Sequence, residues 1–179
     1  PKITLNLPLP EKLGPMTWLP AAAPSWSLPA ANSKTLSLEK LRGKPVLLIF
    51  FVGIGCPYCV EQLKAFTPYA KPYADEGIEI ITISSDDEKL LNERRTATLS
   101  KGDEIPEFPF PLLSDPSLQT FKDYRCFDPL DNKAMHGVFL ISPQGKLLWS
   151  NISHEPFLYP EFLLKESSRL LEPRDHVPD

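Results

Sequence analysis

Two cysteines separated by two residues, in Cys56-Pro57-Tyr58-Cys59, have the types and the spacing to do redox chemistry. They follow an apolar run, Lys44-Pro45-Val46-Leu47-Leu48-Ile49-Phe50-Phe51-Val52, that reads as a strand buried on both faces. Gly53 and Gly55 break the strand. Pro57 then suits the first turn of a helix, because its φ is already set and it has no N–H to lose. Cys56 is thereby placed at a helix N-terminus, where unpaired N–H groups and the helix dipole stabilise a thiolate, the nucleophilic form of cysteine. Cys59, one turn further in and more buried, would attack the Cys56 sulfur of a mixed disulfide, expel the partner thiolate and close the Cys56–Cys59 disulfide. The bland alternative is a pair of small buried side chains or a structural disulfide. A proline-containing pair set between a buried strand and a helix favours the reactive reading, with Pro57 and Tyr58 tuning the potential.

Other candidates are weaker. His136 stands just before an apolar strand, Gly137-Val138-Phe139-Leu140-Ile141-Ser142. It reads either as a partly buried histidine at a strand end or as an imidazole beside Cys56. In the second case a protonated ring would favour the thiolate and an un-ionised ring could act as base. Cys126 follows a helical stripe of Leu118, Phe121 and Tyr124 and reads as a core cysteine, with a second resolving thiol as the minority view. His154 and His176 read as solvent-facing, and Trp26 and Trp149 as core. No cofactor or metal is expected. Two thiolates and an imidazole would suit Cu(I), which keeps a metal-binding module as a distant alternative.

The elements that must position these residues can be read in order. Residues 1–22 alternate proline with apolar residues and read as an extended arm, 23–172 as one domain, and 173–179 as a polar tail. Ala23–Leu28 and Lys34–Leu38 read as two short strands, followed by a turn of helix over Leu38–Leu41. The helix after Cys56 is expected to reach about Ala74, with a kink or early stop at Pro68 and Pro72, and Gly77 ends it. Ile78–Ser84 is a second buried strand. Ser85-Asp86-Asp87-Glu88 reads as a capping box opening a polar helix to about Ser100, whose Glu93, Arg94 and Arg95 form a solvated face. Leu112-Leu113-Ser114 reads as a strand, with Ser114 or Asp115 capping the next helix. Phe127–Lys133 reads as a loop, Pro143-Gln144-Gly145 as a hairpin turn, and Pro160–Leu171 as the last helix. Strand–helix alternation followed by an antiparallel hairpin makes a mixed α/β domain.

Composition removes several function classes. A hydrophobic share of 42% and a charged share of 23% over 179 residues suit one globular domain. The formal charge of −4, with no basic tract, gives no electrostatic reason to expect nucleic acid. No apolar run approaches the roughly 18 residues of a membrane-spanning helix. Three cysteines are too few for a disulfide scaffold and do not name a compartment.

The order of elements, with the CxxC between the first core strand and its helix, resembles the thioredoxin fold: a mixed central sheet flanked by helices, here with an N-terminal β-hairpin extension. Ala23-Pro24-Ser25-Trp26-Ser27-Leu28, Leu38–Val46, Leu113-Ser114-Asp115 and Gly137–Gly145 narrow the resemblance to the redoxin branch, the alkyl hydroperoxide reductase/thiol-specific antioxidant family. That branch holds peroxiredoxins and membrane-tethered thioredoxin-like reductases. Peroxiredoxins carry Pro-x-x-x-Thr-x-x-Cys and an arginine before the later Gly-x-Phe; the corresponding positions here are Ile49, Gly53, Cys56 and His136. The reductases place a proline where His136 stands. Glutaredoxins share the Cys-Pro-Tyr-Cys tetrapeptide but not its surroundings, so no glutathione site is inferred. Sco-type copper proteins share the fold but space their cysteines by three residues. The resemblance implies an oxidoreductase with Cys56 and Cys59 at its centre. Thiol–disulfide exchange with protein disulfides or dithiols is the leading expectation, and a thiol peroxidase fed by a thiol electron donor is the alternative. It also leans towards an extracytoplasmic setting, periplasmic or membrane-tethered.

Overall fold

A short antiparallel hairpin, β1 (Ser27–Pro29) and β2 (Thr35–Ser37), leads through a 3-10 turn at Leu38–Leu41 into the central strand β3 (Val46–Phe51). The computed structural model describes residues 21–31, 34–95 and 107–172. After β3 come α1 (Pro57–Phe66), a 3-10 turn at Thr67–Tyr69, α2 (Ala70–Asp75), β4 (Glu79–Ser84), α3 (Glu88–Arg95) and β5 (Leu112–Ser114). The chain continues through α4 (Gln119–Asp123), a small hairpin of β6 (Phe127–Asp128) and β7 (Lys133–Ala134), β8 (His136–Ile141), β9 (Leu147–Ser153) and α5 (Pro160–Leu171). The main sheet has the strand order β5-β4-β3-β8-β9. Strands β3, β4 and β5 run parallel, and β8 and β9 complete the sheet antiparallel. This is the thioredoxin-like α/β fold.

Every side chain of β3 is buried, as a run without polar alternation requires. Alternation along the strand still divides them between two cores. Leu47, Ile49 and Phe51 meet Val60, Leu63 and Phe66 of α1, Tyr73 of α2, Leu91 of α3 and Leu163 of α5. Val46, Leu48 and Phe50 meet Trp26, Leu38, Leu41, Phe121, Tyr124 and Cys126 on the other face. Each fully buried side chain of this kind contributes roughly 1.5–3 kcal/mol relative to exposure.

Most of the expected elements are present with shifted edges. The first strand begins at Ser27, not Ala23, and residues 23–26 run irregularly ahead of it. The long helix is broken at Pro68, which has no N–H for the helical ladder, and Gly77, at φ +73°, ends the segment. The expected capping box is not formed: Asp87 caps α3, its Oδ1 accepting the Leu90 N–H at 2.7 Å, while the Ser85 hydroxyl donates to the Val52 carbonyl. Helix α4 starts late, because Leu118 is left-handed (φ 58°); Asp115 reaches forward to accept the Thr120 N–H at 2.8 Å. The expected loop at Phe127–Lys133 contains the β6–β7 hairpin. Most of the expected N-terminal arm, the far end of the polar helix and the tail lie outside the described residues.

Candidate active site

Cys56 is the N-cap of α1 and Pro57 occupies its first turn. The cap residue is extended (φ −87°, ψ 119°), its N–H donates to the Gly53 carbonyl at 3.1 Å, and its carbonyl accepts the Val60 N–H at 3.1 Å. The Cys56 thiol is half-buried, whereas Cys59 is buried without exposure. Burial pushes the Cys59 thiol up to about 12. The neighbouring Cys56 thiol pushes in the same direction, and contacts with the Gly53 and Val52 backbone pull the other way. The pair therefore consists of one accessible sulfur at a helix start and one sequestered sulfur a turn behind it. Both are free thiols. Tyr58 is 68% exposed, so its ring lies on the surface flanking the pair.

The backbone leading to Cys56 is held by the neighbouring strand. Phe51 pairs with Ser84 in the parallel β3–β4 ladder, so the residues that follow each strand emerge side by side. The Ser85 hydroxyl donates to the Val52 carbonyl, and the Asp86 carboxylate accepts the Ile54 N–H at 2.6 Å and the Ser84 hydroxyl at 3.0 Å. The Ser114 hydroxyl at the end of β5 donates to the Asp86 carbonyl at 2.8 Å. Three strand ends are thus stitched together under the loop. Sequence reasoning missed Ser85 and Asp86 in this role because both also fit a helix start. Their signal was a Ser-Ser-Asp at the C-terminal end of the strand parallel to β3, the edge where sites of open α/β sheets form.

His136 does reach the dithiol, but at the other cysteine. Phe50 pairs with Gly137 across β3 and β8, which puts His136 one position further, at the end of β3. Alternation then sends its side chain to the face of Val138 and α1. Its Nε2 lies 3.2 Å from the Cys59 sulfur and its Nδ1 lies 3.0 Å from the His154 carbonyl. Of the two expected placements, strand end and imidazole at the dithiol, the ring fits both, and its sulfur contact is with Cys59, whose depth it shares at 6% exposed. Desolvation lowers the His136 pKa below its ordinary value, against the opposing effect of the His154 carbonyl, so the ring is held neutral.

Cys126 lies in the core on the opposite face of the sheet from Cys59, and burial pushes its thiol up to about 12. It does not join the dithiol. His154 is exposed and lies 3.5 Å from Asp128; His176 is outside the described residues. Among the described residues, no three His, Cys, Asp or Glu side chains are grouped to hold a metal ion, and no helix is long and apolar enough to cross a membrane.

A dithiol at the start of the helix that follows the central strand, in this sheet order, defines a thioredoxin-like oxidoreductase. The profile of the AhpC/TSA family matches residues 20–150. The chain belongs to that family. It is 28% identical over 133 residues to a Mycobacterium tuberculosis protein named as a peroxiredoxin, covering 70% of this chain and 79% of that one. It is 31% identical over 110 residues to peroxiredoxin TSA2 of Saccharomyces cerevisiae, covering 62% of this chain and 56% of the yeast protein. The reduced 2-Cys peroxiredoxin of Plasmodium vivax superposes with a TM-score of 0.76 at 20% identity, over 86% of this chain and 96% of that one, a likeness of fold.

Proposed function

We propose that the chain is a thiol peroxidase of the peroxiredoxin type, in which Cys56 reacts with peroxide and Cys59 resolves the product. The observation that carries this reading is the asymmetry of the pair: Cys56 is the accessible N-cap of α1 and Cys59 is fully buried a turn behind it. The Cys56 thiolate attacks the O–O bond and becomes a sulfenic acid, and the alcohol or water leaves with a proton. The Cys59 thiol then displaces hydroxide from the Cys56 sulfur, giving the disulfide and water. An external thiol donor returns both sulfurs to the reduced state by exchange. The peroxiredoxin relatives support peroxide reduction as the activity over the exchange-first expectation from the sequence.

The test is reduced protein treated with stoichiometric hydrogen peroxide and followed by intact mass. The expected result is loss of two hydrogens far faster than oxidation of a free thiol. Cys56→Ser should abolish the reaction and Cys59→Ser should stop it at the sulfenic acid.

A second reading, thiol–disulfide exchange with protein substrates, draws on a specific observation. Ile49, Gly53 and His136 stand at the positions where peroxiredoxins place the proline, threonine and arginine around their peroxide-reactive cysteine. Slow oxidation by peroxide together with fast reduction of an oxidised protein would establish exchange as the activity.

A further inference from the structure

The structure assigns His136 as the proton acceptor for Cys59, so that the buried imidazole activates the resolving thiol and not the peroxide-reactive one. This inference rests on the reading of Cys59 as the thiol that resolves Cys56.

The geometry fixes the direction of the proton. A carbonyl oxygen only accepts hydrogen bonds, so the 3.0 Å contact between His136 Nδ1 and the His154 carbonyl requires the hydrogen to be on Nδ1. In the neutral ring Nε2 is then a bare acceptor. It lies 3.2 Å from the Cys59 sulfur, so the thiol donates its S–H to the ring. Both groups are buried, and burial disfavours the thiolate–imidazolium alternative at each partner. At rest the pair is therefore a neutral thiol hydrogen-bonded to a neutral base.

A sequestered thiol is a poor nucleophile until its proton has somewhere to go. As the Cys59 sulfur bonds to the Cys56 sulfur, its proton passes to Nε2 and the S–O bond of the Cys56 sulfenic acid breaks. The departing hydroxide takes the proton back from the imidazolium and leaves as water. Two thiol-derived sulfurs end as one disulfide, and the only oxidant is the peroxide already consumed. A ring whose pKa is lowered by burial surrenders the proton readily, so the base is regenerated in the same event. An arginine in this position could not do this work, because a guanidinium has no acceptor site.

The groups that act on the ring are few. Cys59, itself in contact with Cys56, approaches from α1. His154 and Glu155 lie beyond the end of β9, with the Glu155 charge raising and the His154 charge lowering the His136 pKa.

The test separates resolution from peroxide chemistry by using a different leaving group. Full-length reduced protein is mixed with an aryl disulfide, dithiobis(nitrobenzoate). The first thionitrobenzoate is released as Cys56 is captured, and the second as Cys59 closes the disulfide. For His136→Gln the first phase should be unchanged and the second slowed about a hundredfold, within the range for loss of a positioned general base. The same variant with hydrogen peroxide should accumulate Cys56 sulfenic acid, trapped by dimedone.

Wild-type protein gives an independent readout should the variant fold poorly. Its second phase should be flat across neutral pH and fall in acid as the ring protonates. A second phase that rises tenfold per pH unit from about pH 6 to about pH 9 would mean that Cys59 loses its proton to solvent, and would overturn the assignment. An unchanged second phase in a folded His136→Gln protein would do the same. If peroxide fails to oxidise the wild type while the second thionitrobenzoate phase still depends on His136, the peroxidase reading falls and this assignment stands.

Discussion

Gly53 lies directly beneath the carboxylate of Asp86: a β-carbon on Gly53 would sit 2.9 Å from Oδ1 and 3.3 Å from Cγ. The position at which peroxiredoxins carry a threonine is therefore occupied in space by a carboxylate from the end of β4. That carboxylate already accepts the Ile54 N–H and the Ser84 hydroxyl. Gly53→Thr, which would restore the family residue, should not increase peroxide reactivity. It should displace Asp86 and destabilise the fold by about 1–3 kcal/mol, the usual cost of overpacking. Denaturant unfolding and the rate of peroxide-driven disulfide formation check both halves. A faster, equally stable variant would show that the glycine is incidental.

Asp86→Ala is the complementary case. It leaves room over Gly53 but strips the Ile54 N–H and the Ser84 hydroxyl of their acceptor, at about 1–3 kcal/mol for the orphaned groups. Because these bonds hold the loop just before the Cys56 cap, the loss should also appear as slower reaction of Cys56. Asp86→Asn keeps an acceptor oxygen and should sit between wild type and alanine in both stability and rate.

A second glycine is constrained from the other face of the sheet. A β-carbon on Gly137 would overlap the Cys126 sulfur and come within 2.9 Å of Phe139 Cε2. Gly137→Ala should therefore cost about 1–3 kcal/mol or more. Cys126→Ala should relieve part of that cost, so the double variant should be more stable than the sum of the singles predicts, with a coupling of about 0.5–3 kcal/mol. Additive effects would mean that the sulfur is not the obstacle. The relief is incomplete because the Phe139 ring remains.

The dithiol was legible in the sequence because everything that makes it is local: a buried strand, two glycines, and a proline placed one residue into a helix. Most of the fold was legible for the same reason, and the last helix, Pro160–Leu171, was bounded correctly by its proline and its apolar period. What local pattern could not deliver was partner choice. His136 could be placed near the site but not on Cys59, since that follows from the β3–β8 register and the depth of the ring. Asp86 and Ser85 read as helix-start residues because hydroxyl and carboxylate caps have the same composition whether they hold their own helix or the loop beside it. Leu118 was misplaced because nothing in a leucine announces a left-handed backbone.

Alkylation should distinguish the three cysteines in the folded, reduced chain. Cys56 is half-buried, whereas Cys59 and Cys126 have no exposed surface and thiols pushed up to about 12. Burial holds both thiols protonated at pH 7, so they are both shielded and unreactive. Brief treatment with iodoacetamide should add a single group per chain, located at Cys56 by peptide mass, and Cys56→Ser should take up none on the same timescale. Modification of Cys126 before unfolding would contradict its place in the core.

Stability should fall on both sides of neutrality, for opposite reasons. In acid the responsible group is His136. Its folded pKa is lowered below the ordinary 6.5, chiefly by desolvation, so just under that value the unfolded chain binds a proton that the folded chain refuses. Stability therefore rises with pH across this window and is lost as pH falls through it. In alkali the groups are Cys59 and Cys126, raised by burial from an ordinary 9.0 to about 12, joined near the top of the range by Tyr73 and Tyr124, whose hydroxyls burial raises above an ordinary 10.0. Above about pH 9 the unfolded chain releases thiol protons that the folded chain keeps, and the folded state loses ground with each further pH step. Denaturant midpoints of reduced protein measured from about pH 5 to about pH 10.5 should trace this dome. His136→Gln should flatten the acid limb, and Cys126→Ala should lessen the alkaline one while leaving the acid limb intact. An alkaline limb unchanged in Cys126→Ala would mean that its thiol ionises in the folded protein as easily as in the unfolded chain.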